Sequence, residues 1–418
     1  MTMPLLRGRL PALALGALLL GGLAGCGEKA TTELKPGSYR AVLTLPLGEL
    51  PVGLDIARGS DGAVTAALVN GDNRVPAEKT TFTGDTLTLA FPSYDSTLTA
   101  KVQPDGTLKG TATLRRREGP VEVPLAATPA NWRFYAAPKP AAGALAGTWL
   151  LEPADPKGEK GLLILRGTGG NGLAGTVQFP TGDVRYLAGQ QSGGDFALST
   201  FDGNQGSVWR GRIENGRITG ENFGATSKEP TRWTARPQGT GAGDQVVAVA
   251  EEKPPVDRIA FTFPDATGKP VSLADPRFKG KVVVVAIGGS WCPNCHDEAQ
   301  FLGPYVKRRR AEGLEVIGLQ FEYTDDAQRS AAQSRRFAER YKLDYPLLIA
   351  GKATPEDTKR ALPAIGGVKI YPTTLFIDRQ GKLREIHTGY AGPATGALNE
   401  KAMADFDALV SRLLAEKA

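Results

Sequence analysis

The chain has 418 residues, of which 41% are hydrophobic and 22% charged, and it carries a formal net charge of +6. This length allows two or three domains with sizeable cores, and the composition is that of a soluble globular protein. The basic run Lys307–Arg310 lies in an expected amphipathic helix, where a solvated face explains it. Without zinc-finger spacing or an aromatic-interleaved basic stripe, nucleic acid is excluded as an expected partner.

The first 26 residues have the pattern of an export signal. Two arginines precede an apolar run that ends in small residues and is shorter than a typical transmembrane helix. The end of the run, LAGC at 23–26, resembles the bacterial lipobox, and this resemblance implies that Cys26 is lipidated and anchors the chain to the cell envelope. The alternative is an ordinary signal peptide with an incidental cysteine. Residues 27–36 are expected to be a tether.

Residues 37–138 and 147–238 form an internal repeat with a constant offset of 110 residues. The Asp-Gly turn at 105–106, for example, returns as Asn-Gly at 215–216. These dipeptides between short alternating runs predict tight hairpins, because such turns need positive φ. We predict two tandem antiparallel all-β units, each a meander barrel or sandwich. Neither unit contains His or Cys, so no catalytic set is expected in them.

The pattern changes after residues 239–256, which have the composition of a linker: Gly-rich, then acidic, then a proline pair. From residue 257 to the end the pattern is α/β. Val282–Ile287 is a continuous apolar run, which suits a strand buried on both faces, and a helix follows it. Further elements are expected at 314–321 (strand), 325–341 (helix), 346–349 (strand), 374–387 (hairpin) and 403–414 (helix).

Cys292 and Cys295 allow three interpretations. A zinc site needs four ligands, and the chain offers only two histidines, His296 and His387. A structural staple across so short a step removes little unfolded-state entropy. Disulfide exchange fits best, because the pair follows a buried strand at a helix N-terminus, which stabilises a thiolate. We predict an accessible attacking Cys292, a buried resolving Cys295 one turn deeper, and no metal or cofactor.

Residues 257–418 resemble the thioredoxin fold, and specifically the membrane-anchored TlpA/ResA-type thiol–disulfide oxidoreductases. Two motifs carry the resemblance: WCPNC, which begins at Trp291, and IYPTTLFID at 370–378. The resemblance implies that Pro372 follows a cis peptide bond and lies beside the cysteines. It also implies that Trp291, Pro372 and the backbone of Tyr371 contact the substrate.

Two acidic residues are expected to support the cysteines. Glu322 follows the strand at 314–321 and is predicted to be a buried carboxylate that shuttles the proton of Cys295; the alternative is an exposed loop acid. Glu298 matches the family's acid three residues after the second cysteine. The sequence departs from the family at GGS, residues 288–290, which replaces a more common aromatic approach to the cysteines.

The sequence therefore predicts an enzyme: a lipid-anchored, extracytoplasmic thiol–disulfide oxidoreductase on a tandem β platform. Its partners would be client proteins with disulfides and a membrane or soluble electron donor, and reduction is the favoured direction. A peroxiredoxin is one alternative, but its Pro-x-x-x-Thr/Ser-x-x-Cys pattern is replaced at Val285 and Gly289. The alternative from another class is a surface binding lipoprotein whose β units bind a ligand or partner and whose redox domain is auxiliary.

Overall fold

A computed structural model describes residues 33–417 of the chain. The expected signal peptide, Cys26 and most of the expected tether lie outside the described residues. The described residues belong to one compact unit, which contains two β regions and one α/β domain. Among these residues, no helix combines the length and the apolar character that crossing a bilayer would require.

The first β region is a sheet of nine antiparallel strands in the order β4-β3-β2-β1-β9-β8-β7-β6-β5. Inward-facing residues such as Leu43, Leu68 and Leu98 alternate with more exposed ones and form a single core, so the sheet curves into a half-barrel. The strands are β1 (Gly37–Leu45), β2 (Gly48–Arg58), β3 (Val64–Asn70), β4 (Asn73–Pro76), β5 (Lys79–Thr83), β6 (Thr86–Phe91), β7 (Ser96–Val102), β8 (Leu108–Arg116) and β9 (Gly119–Pro129).

The second β region repeats the same strands along the chain, but its sheet closes. Its strands are β10 (Gly147–Pro153), β11 (Gly161–Gly167), β12 (Gly172–Phe179), β13 (Gly182–Asp183), β14 (Leu187–Ser192), β15 (Asp195–Phe201), β16 (Gly206–Glu214), β17 (Arg217–Gly224) and β18 (Thr231–Pro237). The order is β11-β10-β18-β17-β16-β15-β14-β12, and β11 also pairs with β12. Eight strands therefore form a closed barrel, and β13 extends one end of β12. The predicted all-β duplication is confirmed.

The α/β domain has a mixed sheet in the order β19-β26-β25-β22-β23-β24, flanked by helices. The parallel pair β22–β23 and the antiparallel pair β22–β25 make β22 a central strand. The elements are β19 (Ala250–Glu252), β20 (Thr262–Pro264), β21 (Pro270–Ser272), β22 (Val282–Gly288), α1 (Pro293–Arg309), β23 (Leu314–Glu322), α2 (Ala327–Tyr341), β24 (Leu347–Lys352), α3 (Pro355–Ala361), β25 (Thr373–Ile377), β26 (Leu383–Thr388) and α4 (Ala397–Ala415).

The apolar run of β22 is buried on both faces, as predicted. Val283 and Val285 pack into one core, and Val282 and Val284 pack into a second core that includes residues of α1 and α4. The α/β architecture predicted for this domain is confirmed. Short α3 was not predicted, and part of the expected linker is itself a strand, because β19 pairs with β26.

Candidate active site

Cys292 and Cys295 lie just beyond the carboxyl end of β22, where α1 begins, and are joined by a disulfide bond. Cys292 is the N-cap of α1, and the backbone N–H of Cys295 donates to its Sγ over 3.2 Å. That N–H and the helix dipole favour negative charge on the same sulfur. Reduction of the bond therefore leaves Cys292 in a position that stabilises a thiolate.

The glycines that replace the family's aromatic approach are required by close packing. A Cβ on Gly288 would lie 3.0 Å from Sγ of Cys295, and a Cβ on Gly289 would collide with the indole Nε1 of Trp291. The departure at 288–290 is thus a local fit between the loop and the residues around the disulfide.

The two sequence motifs meet at one end of the sheet because β25 lies beside β22. The Tyr371–Pro372 peptide bond is cis. The ring of Trp291 stacks on Tyr323 with centroids 4.7 Å apart and meets the ring of Tyr371 edge-on at 5.1 Å. The indole N–H of Trp291 donates to the carbonyl of Phe321 over 2.8 Å, which fixes the ring in this aromatic group.

Glu322 is buried at the end of β23 and bonded to Ser290, two residues before Cys292. Its carboxylate accepts from the N–H of Ser290 at 2.9 Å and from its hydroxyl at 2.8 Å. Burial raises the pKa of Glu322 to about 7, although the bonds from Ser290 act in the opposite direction. The position excludes the alternative of an exposed loop acid.

A second buried carboxyl group, Glu298, lies one helical turn after Cys295. It accepts from the hydroxyl of Thr374 at 2.6 Å, which joins α1 to the strand that follows Pro372. Burial raises the pKa of Glu298 to about 7, against the lowering effect of that hydrogen bond. Both acids can therefore exchange a proton near neutral pH.

Both cysteines are buried, which corrects the prediction of an accessible Cys292: Cys292 is 3% exposed and Cys295 is 4% exposed. The physical reason is that the second barrel packs over the turn that carries them. Asn294, between the cysteines, donates its side-chain amide to Oδ1 of Asp183 over 2.7 Å. Gln205, in the turn between β15 and β16, donates to the carbonyl of Trp291 over 3.5 Å.

An ion-pair group holds the barrel to the first turns of α1. The guanidinium of Arg185 donates to both carboxylate oxygens of Asp297, at 2.7 and 2.9 Å, and to Asp202 at 3.0 Å. Burial alone would lower the pKa of Arg185, but Asp297, Tyr94 and Asp202 raise it well above its ordinary value. The arginine therefore remains charged between the barrel and the helix.

His296 is buried and uncharged, although it adjoins Cys295. Its ring stacks on Tyr94 of the first β region at 3.9 Å, and its nitrogens lie 2.7 Å from the hydroxyl of Tyr341 and from the carbonyl of Ser290. Burial lowers its pKa to about 3. A neutral imidazole adds no cation to the cysteine pair.

Sequence reasoning missed Asp183 and Arg185 as residues of this site because they belong to a β region without catalytic motifs. A signal was present in the repeat. At the offset of 110 residues, the first β region has Asn73 and Val75 where the second has these two charged residues. Where one copy has charged residues at a turn and the other copy has uncharged ones, the two turns are expected to contact different parts of the molecule.

Residues 256–386 match the family model described as the AhpC/TSA family. The thioredoxin-like protein YneN of Bacillus subtilis is 31% identical over 129 residues, which are 31% of this chain and 68% of that protein. The thiol-disulfide oxidoreductase ResA of Bacillus thuringiensis subsp. konkukian is 30% identical over 135 residues, 32% of this chain and 69% of that protein. A crystal structure of a thioredoxin-family thiol:disulfide interchange protein from Chlorobium tepidum TLS is 25% identical, with a TM-score of 0.30, and the match covers 40% of this chain and 100% of that one.

Proposed function

This chain belongs to the thioredoxin-like thiol–disulfide oxidoreductases, and we propose that it reduces the disulfides of client proteins through Cys292 and Cys295. One observation carries the proposal: Cys292 caps α1, so its sulfur receives an N–H while bonded to Cys295 one turn further along the helix. This arrangement gives an attacking thiolate and a resolving thiol within reach of each other.

The exchange has two steps. In the reduced protein, the thiolate of Cys292 attacks one sulfur of a client disulfide, and the client's other sulfur leaves and takes a proton. Cys295 then loses its proton and attacks Sγ of Cys292, so that the client's remaining sulfur leaves as a thiol. The client gains two electrons and two protons, and the protein ends as the Cys292–Cys295 disulfide. A dithiol donor, membrane-bound or soluble, reduces that disulfide again.

Glu322 is the proposed acceptor of the Cys295 proton. Its burial and its pKa of about 7 support this role, because a base near the operating pH exchanges protons efficiently. Trp291, Tyr371 and Pro372 are proposed to form the surface on which the client lies. Since the sulfurs are buried, we propose that protein clients react after the second barrel separates from the cysteine turn.

Reduction is the proposed direction. The Pro293–Asn294 dipeptide supplies no cation that would stabilise the thiolate strongly, and His296 is neutral. A strong oxidant needs a strongly stabilised reduced form, for which a potential of about −120 mV is typical. A measured potential near that value would reverse the proposed direction.

The protein is proposed to act outside the cytoplasm, anchored through a lipid on Cys26, with a boundary near residues 239–256 between the β platform and the redox domain. The lipobox-like LAGC supports the anchor. Mass spectrometry of the mature protein should find a diacylglyceryl group on Cys26, and Cys26→Ala should release the protein from membranes. Unchanged membrane association of that variant would refute the anchor.

A trapping experiment tests the proposed exchange. Cys295→Ser retains the attacking sulfur and removes the group that resolves the mixed disulfide, so client adducts should accumulate and be visible without reductant. Cys292→Ser is the matched control and should trap little. Adducts formed by Cys295 alone would reverse the two roles. If neither variant forms adducts while the wild type cycles between oxidised and reduced forms, protein clients are excluded.

A further inference from the structure

Asp183 of the second barrel contacts two segments beside the disulfide, the turn that carries the cysteines and the loop after β26. Its Oδ1 accepts from the side-chain amide of Asn294 at 2.7 Å and from the backbone N–H of Gly392 at 3.1 Å. Its Oδ2 accepts from the backbone N–H of Arg185 at 3.0 Å and lies 3.4 Å from the hydroxyl of Thr176. One buried carboxylate therefore joins the cysteine turn, the loop after β26 and the barrel.

Asn294 is held by Asp183 at two points. Besides the bond to the carboxylate, its amide also lies 3.2 Å from the main-chain carbonyl of Asp183. The fit is close, because a Cβ on Gly182 would collide with Oδ1 of Asn294. The asparagine between the two cysteines is therefore held in one orientation by a residue 111 positions earlier in the chain, and is not freely solvated.

We propose that Asp183 is a positioning residue of the redox site, which holds Asn294 between the cysteines and places a carboxylate beside the N-terminus of α1. The inference rests on the exchange proposed above for Cys292 and Cys295. A negative charge near that helix end opposes the stabilisation of the Cys292 thiolate by the helix. Asp183 therefore raises the pKa of the Cys292 thiol and lowers the reduction potential of the pair, which suits a reductant.

The charge of Asp183 depends on pH. Burial and the neighbouring Asp297 raise its pKa to about 7, whereas Arg185 and the N–H of Gly392 lower it. The titratable or charged groups that share its surroundings are Arg185 and Tyr186 of its own loop, Asp297 of α1, and Tyr390 of the loop after β26. Its effect on the cysteines should accordingly be greater at pH 8.5 than at pH 6.

The test is Asp183→Asn in the full chain, which keeps the size of the side chain and removes the charge. Equilibration with a dithiothreitol buffer gives the reduction potential, and the pH dependence of iodoacetamide alkylation in the Cys295→Ser background gives the pKa of the Cys292 thiol. Asp195→Asn, an exposed carboxylate of the same barrel paired with Arg212, is the matched control. Asn294→Ala and the double variant complete a cycle.

We expect the equilibrium constant for reduction of Asp183→Asn to rise about tenfold at pH 8.5, equivalent to about 30 mV, with a lower thiol pKa and a smaller change at pH 6. When Asn294 is already alanine, only the part of the shift that arises from the charge should remain, because the N–H groups of Gly392 and Arg185 still hold the carboxylate. A potential and thiol pKa equal to those of Asp195→Asn would overturn the inference. If Asp183→Asn fails to fold, Asn294→Ala removes the same bond from the other side, and an unchanged potential in that variant would overturn the inference as well. Failure of the wild-type protein to reduce insulin would instead refute the proposed function.

Discussion

The two β regions are copies along the chain that have taken different forms. In the second region β12 and β14 pair from Gly172 to Gly175 and close the barrel, whereas the equivalent strands β3 and β5 are not paired within the described residues. A Cβ on Gly175 would collide with the carbonyl of Ile164, and a Cβ on Gly189 with that of Ala197. Glycine thus permits the tight bend at the point of closure.

The first region has larger residues at the same places. Thr65 and Lys79 stand where the second region has its two closing glycines. The regions also touch the redox domain differently. The first places Tyr94 on His296, directly after Cys295, and pairs Asp95 with Arg329 of α2, while the second bonds to Asn294, between the cysteines. The closed copy has thus become part of the redox site, and the open copy supports that site from the side.

The largest effect is expected from Arg185→Ala, which removes the second barrel's ion pair to α1. Asp297 would remain buried without its partner, and such a loss costs about 3–5 kcal/mol of unfolding free energy. Alkylation of reduced Cys292 by a bulky maleimide should also become at least about tenfold faster than in the wild type, which corresponds to about 1.4 kcal/mol in favour of opening. Denaturant unfolding and labelling kinetics measure the two effects.

Arg329→Ala is the matched control for that change, because it removes one of the two ion pairs between α2 and Asp95 of the first region, the other being that of Arg336. Both partners are partly exposed, so the cost should be at most about 1 kcal/mol, and the labelling rate should stay close to that of the wild type. Equal labelling rates for both arginine variants would mean that the second barrel does not control access.

The next effect is expected from Gly189→Val in β14. The added side chain collides with backbone of β15, so the barrel must shift, at a cost of about 3 kcal/mol. Thr65→Val, at an exposed position of β3 in the first region, should change stability by less than about 0.5 kcal/mol. Thermal melting compares the two. A Gly189→Val protein as stable as the control would show that closure does not depend on this glycine.

The smallest effect concerns pH. The folded pKa of Asp183 is raised to about 7 from its ordinary value of 3.8, so the folded state holds a proton that the unfolded state releases. The stability due to this group is therefore present at acid pH and is lost as pH rises through about 7. The unfolding free energy of the wild type should therefore fall as pH rises from 5 to 6.5. Asp183→Asn should reduce the slope of that fall by up to about 1.4 kcal/mol per pH unit.

The equivalent position of the first region, Asn73, has no charge and supplies the control for that measurement. Asn73→Ser should leave the pH slope unchanged, because no titrating group is added or removed. A slope in Asp183→Asn as steep as in the wild type would assign the pH dependence to Glu298 and Glu322, whose pKa values are raised in the same direction.

Features set by local sequence were predictable. The apolar run of β22, the cysteines at the start of α1 and the hairpin turns of the repeat depend on residues close together in the chain. Their positions follow from burial of continuous apolar strands and from the φ values that turns require. The placement of Glu322 near the cysteines could also be predicted, because parallel strands end at the same edge of a sheet.

Features set by packing between distant segments were not predictable. The burial of Cys292 depends on contacts from residues such as Asp183, more than 100 positions earlier, and no periodicity records such a contact. The closing of one repeat and not the other coincides with two glycines, Gly175 and Gly189, within otherwise ordinary strands. A linker rich in glycine also concealed a strand, since β19 owes its form to pairing with β26 rather than to its own residues.

That strand fixes how far the second barrel can travel from the cysteines. With β19 held in the sheet, the connection runs only from residue 238 to residue 249, twelve residues between Pro237 and Ala250, and these are free only after Asp244 separates from Arg236 of the barrel. A flexible chain of that length spans about 20 Å, which corresponds to an effective concentration in the millimolar range. An undocked barrel thus returns to the cysteine turn on the order of a thousandfold more often than a client at micromolar concentration reaches it. Turnover with protein clients therefore depends on the lifetime of the undocked state.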